Sequence, residues 1–134
     1  MAKYKKKLDA DIRCPLEYGL TIFGGKLGEY PQKLYKALMN SQTVLTVWDD
    51  ARLVGLIRVL DDSEMLAQIH YVLVHPEYQG QGIAGRMVEY IKEKYKNFMY
   101  LELMPEDKNN VPFYEKHGFH VMENGAAMQI CNIN

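Results

Sequence analysis

Ile69-His70-Tyr71-Val72-Leu73-Val74-His75-Pro76-Glu77-Tyr78-Gln79-Gly80-Gln81-Gly82-Ile83-Ala84-Gly85 is the stretch whose reading decides the fold. Its first six residues are mostly β-branched, aromatic or aliphatic and predict a buried strand. From Ile83 onward, Ile83, Met87, Val88, Ile91 and Tyr95 recur at three- and four-residue steps, the apolar stripe of a helix. Lys92, Lys94 and Lys96 gather at its C-terminal end, where cations complement the macrodipole. Gly80, Gly82 and Gly85 lie between strand and helix. A glycine loop that opens a helix leaves backbone N–H groups unpaired at the positive end of the dipole, and without Cβ atoms a ligand comes close. The expected guest is a phosphate or pyrophosphate.

The loop lacks the Gly-Lys-Ser/Thr ending of a nucleotide-triphosphate loop. Gly80, Gly82 and Gly85 spell the dinucleotide fingerprint, with Glu102 placed for a ribose contact. Yet His75 to Gln79 separate strand from glycine where that turn is tight, and too little chain follows Glu102 for a doubly wound sheet. Gln79-Gly80-Gln81-Gly82-Ile83-Ala84 instead resembles the Q/R-x-x-G-x-G/A signature of the GNAT family of N-acetyltransferases, and Val74 to Tyr78 resemble its lead-in. The resemblance implies an α/β fold (α+β by some schemes): a central mixed, mainly antiparallel sheet with a V-shaped splay and helices on both faces. It also implies that Gln79, Gly80, Gln81, Gly82, Ile83, Ala84 and Gly85 hold the pyrophosphate of acetyl-coenzyme A. Backbone groups of Leu73 and Val74 would pair with the pantetheine arm as if it were a strand.

With 134 residues the chain is expected to be one domain, with an atypical segment at 1–30. A net charge of −1 carries no nucleic-acid footprint. Cys14 and Cys131 have no metal or redox spacing, no apolar run approaches membrane length, and Met1 to Asp11 is too polar for a signal peptide. These features predict a cytoplasmic protein, monomer or homodimer, with no metal and no membrane or nucleic-acid partner. Cys14 to Tyr18 and Ile22 to Lys26 resemble the start of HxlR-type winged-helix regulators, although the residues after Lys26 do not continue as a winged helix.

Pro31 opens a short helix carrying Leu34, Tyr35 and Leu38, closed near Asn40-Ser41. Thr43 to Trp48 and Leu53 to Leu60 predict a hairpin about Asp49-Asp50, and Asp61-Asp62-Ser63 turn into a third antiparallel strand, Met65 to Val74. Phe98 to Leu103 is a strand reached by a helical crossover, hence parallel to the one before it.

A second motif, Asn110-Val111-Pro112-Phe113-Tyr114-Glu115-Lys116-His117-Gly118-Phe119, predicts a helix capped by Asn110, stopped by Gly118 and followed by a strand from Phe119. Asn124-Gly125 is a hairpin dipeptide, with Ala126 to Cys131 expected to close the sheet. This motif resembles especially the glucosamine-phosphate N-acetyltransferases. The resemblance makes Tyr114 the phenol near the coenzyme sulfur and Asn110 a coenzyme contact. His70 and Glu102, each on a strand at the proposed cleft, are the candidate bases. The acceptor is expected to be a small primary amine, with an apolar body suited to Tyr18, Phe23 and Tyr30, because the acidic residues sit in turns and form no channel for a lysine-rich tail. The alternatives are an acetyl-coenzyme A sensor without catalysis and, on the fingerprint alone, a dinucleotide-binding module.

Overall fold

The computed structural model describes residues 3–5 and 30–132. Cys14, Tyr18, Phe23 and the winged-helix-like residues lie outside them. The chain divides into two compact units, Met1–Leu103 and Met104–Asn134.

The first unit is a five-stranded sheet in the order β1 (Lys3–Lys5), β2 (Thr43–Asp49), β3 (Arg52–Asp61), β4 (Leu66–Val74) and β5 (Tyr100–Leu103). All pairs are antiparallel except β4 with β5. The helix α1 (Pro31–Met39) precedes β2, and α2 (Ile83–Lys94) makes the crossover from β4 to β5. This is the mixed, mainly antiparallel α/β sheet that the sequence predicts.

Strand alternation sends side chains to two faces. On one face Leu34 and Leu38 of α1 pack with Val44, Trp48, Leu53 and Leu56, and Tyr71 and Leu73 border the cluster. Trp48 belongs to this core, its Nε1–H donating to Thr46 Oγ1 at 2.8 Å. On the other face lies α2: Ile83, Met87, Val88, Ile91 and Tyr95 are each at most 5% exposed, so the predicted stripe is the buried one. Gly55 lets α2 approach this closely, because a Cβ there would stand 3.1 Å from Ile83 Cγ2 and 3.2 Å from Val47 Cβ.

The far end of α2 is fastened by a polar knot. Tyr95 Oη lies 2.6 Å from Thr43 Oγ1 and donates to Asp61 Oδ2 at 2.6 Å. Burial, helped by that carboxylate, pushes the Tyr95 phenol up to about 12. Tyr95→Phe leaves Asp61 and the buried Thr43 short of a partner and is expected to destabilise the fold by about 1–2 kcal/mol. Denaturant unfolding reads this as a lower midpoint at unchanged slope, and an unmoved midpoint would make the knot ornamental.

The turns use their acids as predicted. Asp50 takes φ 51° in the β2–β3 turn. Asp62 Oδ1 accepts from the N–H groups of Glu64, Met65 and Leu66, which hold its carboxyl below the usual range.

In the second unit a 3-10 turn, Lys108–Asn110, leads into α3 (Val111–Lys116). Gly118 stops the helix at φ 92°. Two expectations fail here. Asn110 does not cap α3 with its side chain: it already has helical angles, and Asp107 caps the turn by accepting from Asn109 N–H at 2.9 Å. Nor do Phe119 or Ala126–Cys131 form strands. Asn124-Gly125 makes a turn in which Gly125 N–H bonds Met122 O at 3.1 Å, but neither residue has the positive φ that a two-residue hairpin turn requires. Met128 and Ile130 are left 93% and 89% exposed.

Candidate coenzyme and acceptor site

The glycine loop begins where β4 ends. His75 N–H bonds Val54 O at 2.8 Å, and the chain then coils through a 3-10 turn, Pro76–Tyr78. The buried His75 caps this turn, its Nδ1 accepting from Glu77 N–H at 3.1 Å. Gly80 and Gly82 follow with φ 81° and 82°, left-handed angles that favour glycine, and open space where their Cβ atoms would be. Gly82 is the N-cap of α2; no side chain caps that end and no acid occupies the first turn. The N–H groups of the loop and first helical turn are therefore available to an anion.

What holds the loop in place was not visible in the sequence. Tyr78 Oη donates to Asp49 Oδ2, at the end of β2. Arg52, opening β3, bonds Glu77 Oε2 at 2.9 Å and lies 6.0 Å from the Tyr78 ring centroid. The β2–β3 turn thus grips both residues that lead into the glycines. Partners 25 and 29 residues apart leave no local spacing signal.

Beside the loop, no strand among the described residues pairs with β4 on its β5 side. β5 pairs only with Leu66–Ile69, whereas β4 runs on to Val74. β5 ends at Leu103, opposite Ile69, so the last residues of β4 run on past the end of that strand. Ladder geometry decides which backbone groups face the gap. Since His75 N–H bonds β3, the alternate residue Leu73 also turns its N–H and C=O to β3, opposite Leu56. Val72 and Val74 face the opening instead, and Gln79 Nε2 bonds Val74 O at 3.2 Å. Sequence reasoning chose Leu73 and Val74 and missed Val72, because strand parity is set by a hydrogen bond at the strand's end.

Below the gap, β4 carries a bulge: Arg58 pairs with Tyr71 and Val59 with Ile69, so His70 is the extra residue. The bulge places His70 Nδ1 2.8 Å from Arg58 Nη1. A guanidinium can only donate, so Nδ1 accepts. Glu102 stands opposite Gln68 in the β4–β5 register, on the face away from α2, and is half-buried. His70 and Glu102 therefore lie on strands bordering one opening.

Tyr114 belongs to the second unit. Its ring packs edge-on against Phe113 and Phe119, its hydroxyl makes no hydrogen bond among the described residues, and burial raises the phenol's pKa. Asn110 is exposed. Among the described residues no cluster of three or more His, Cys, Asp or Glu gathers as a metal site, and no helix is long and apolar enough to cross a membrane.

Comparison with known proteins bears on this geometry. The chain is 28% identical over 99 residues to an uncharacterized ycf52-like N-acetyltransferase of Prochlorococcus marinus, covering 70% of this chain and 55% of the relative. It is 34% identical over 73 residues to an uncharacterized N-acetyltransferase of Bacillus methanolicus, covering 54% and 58%. It thus spans little more than half the length of these curated relatives. A protein of unknown function from meticillin-resistant Staphylococcus aureus, described as "Probable Acetyltransferase", superimposes with a TM-score of 0.83 at 26% identity, over 98% of this chain and 99% of that one. The model of the acetyltransferase (GNAT) family matches residues 16–119, which take in the strand, the glycine loop, the crossover helix and the second motif. On that match the chain belongs to the acetyltransferase (GNAT) family.

Proposed function

We propose that the protein moves an acetyl group from acetyl-coenzyme A directly to the primary amine of a small molecule, as a metal-independent enzyme of the cytoplasm. The observation that carries this reading is the left-handed pair Gly80 and Gly82 opening an uncapped α2 beside the open edge of β4. One end of such a site suits a pyrophosphate, and the other suits an amide-bearing arm lying along Val72 and Val74. Acetyl-coenzyme A supplies the activated thioester. The chain's residues supply orientation and proton handling.

An alkylamine has a pKa of about 10.4, so reaching its neutral form at pH 7 costs about 4.6 kcal/mol. His70 and Glu102 are the proposed proton acceptors. With Nδ1 of His70 accepting from Arg58, a proton taken by this imidazole would be held at Nε2, and Glu102 is the alternative. Outward-facing N–H groups of β4 suit the oxyanion that forms on the thioester carbonyl. Tyr114 is proposed to donate to the departing sulfur, and Asn110 to contact the coenzyme, both by the second motif. A phenol raised by burial stays protonated at neutral pH, as a donor to the departing sulfur must be.

Small amines are favoured over protein lysines because three acids of the predicted turns are already engaged within the fold. Asp49 holds Tyr78, Asp61 holds Tyr95 and Ser63 N–H, and Asp62 holds its own turn. These three acids are therefore spent within the fold rather than lining a channel for a basic tail. The test is release of free thiol from acetyl-coenzyme A over a panel of small amines and lysine-bearing peptides, with products weighed by mass spectrometry. Acetylated small amines are expected. Faster modification of the peptides would reverse the acceptor class, and thermal stabilisation by acetyl-coenzyme A without any thiol release would favour a sensor.

A further inference from the structure

Arg58 is a half-buried cation with no carboxylate partner among the described residues. It sits in β3 opposite the bulge at His70, on the face turned from α2. Its Nε–H donates to Ser41 Oγ at 2.8 Å, and Ser41 in turn donates to Ala37 O, so the end of α1 orients the guanidinium. Nη1 donates to His70 Nδ1, and the guanidinium carbon lies 5.6 Å from the Tyr71 ring centroid. These contacts use two of the five N–H groups that a guanidinium carries and neutralise none of its charge. Burial lowers its pKa, and Tyr71, not an acid, opposes the shift. Glu102, which the register puts on the same face, stands on β5 beyond Gln68 and forms no ion pair with it.

A guanidinium held rigidly by neutral groups, with donors to spare beside the proposed base, is built to receive an anion. We propose that Arg58 anchors an anionic group, a carboxylate or a phosphate, on the acceptor amine, with Ser41, His70 and Tyr71 as its positioning residues. The inference rests on the transferase reading above and narrows its acceptor class. An acceptor so held extends its amino group along β4 toward the opening between β4 and β5. It also replaces the picture of an acceptor that is mainly apolar.

The experiment compares matched amines. One pair is an amino acid and its neutral carboxamide, and the other is a phosphate-bearing amine and the corresponding amino alcohol. Thiol release by the wild-type protein is expected to favour the anionic member of at least one pair by ten-fold or more in kcat/KM, and which pair responds identifies the anion. In Arg58→Gln that preference is expected to fall to near unity while the stabilisation by acetyl-coenzyme A persists; Arg58→Lys, which keeps the charge without the fork, retains part of it. Should Arg58→Gln fail to fold, the wild-type pairs still decide. Equal rates within both pairs, or a preference that survives Arg58→Gln, overturns the anion site while leaving the transferase intact. Thiol release from no amine at all sinks both.

Discussion

Gly82→Asp is expected to abolish the rise in melting temperature that acetyl-coenzyme A is expected to give the wild-type protein. At a hundred-fold excess over Kd a ligand adds about 2.7 kcal/mol, or roughly 10 °C for a domain of this size. The substitution acts twice. It puts an L-residue at φ 82°, where space is open but the backbone is strained, and it sets a carboxylate at the mouth of the helix N-terminus that the pyrophosphate needs. Each charge–charge contact near 4 Å costs between about 1 and about 4 kcal/mol, according to how far water is excluded. Two phosphates together make the penalty about 2 to about 8 kcal/mol, which over most of that range exceeds the stabilisation to be lost. Gly82→Asn separates the effects, since asparagine has nearly the same shape, tolerates the left-handed angle and carries no charge. It is expected to keep part of the shift. A folded Gly82→Asp protein stabilised as strongly as wild type would remove the glycine loop from the site.

Tyr114→Phe is expected to slow turnover by roughly ten- to a thousand-fold, the worth of one positioned acid, with the acetyl-coenzyme A shift unchanged. The structure makes this a clean substitution. The hydroxyl has no hydrogen bond among the described residues, so its loss leaves no orphaned partner, and the ring contacts to Phe113 and Phe119 survive. The melting temperature of the free protein should therefore stay put. Unaltered turnover with a good acceptor would make Tyr114 packing and water the proton source.

The periodic part of the fold was legible because periodicity is local. Every residue of the Ile83-to-Tyr95 stripe is buried, Asp62 bonds the backbone of its own turn, and Asp50 takes the positive φ of the other. Features that failed or stayed hidden depend on distance or on parity. Asn110 looked like a cap until Asp107, three residues earlier, took that work. Asn124-Gly125 had the right letters, but its backbone angles are those of another turn. Val72 replaced Leu73 at the open edge through a single bond from His75 to Val54. Arg58 read as an ordinary strand residue, because nothing in its neighbourhood of the sequence announces that His70 would bulge toward it.

The grip of Asp49 and Arg52 on Tyr78 and Glu77 changes what the β2–β3 turn can tolerate. Tips of hairpins are ordinarily where a chain accepts an extra residue without complaint. Here a longer turn would carry its two anchors away from the segment they brace, and the glycines would lose their seat although no residue of the loop had been touched. Variation in length among relatives of this chain should therefore avoid residues 49–52 and collect at the Asp62–Glu64 turn, whose aspartate bonds only its own backbone.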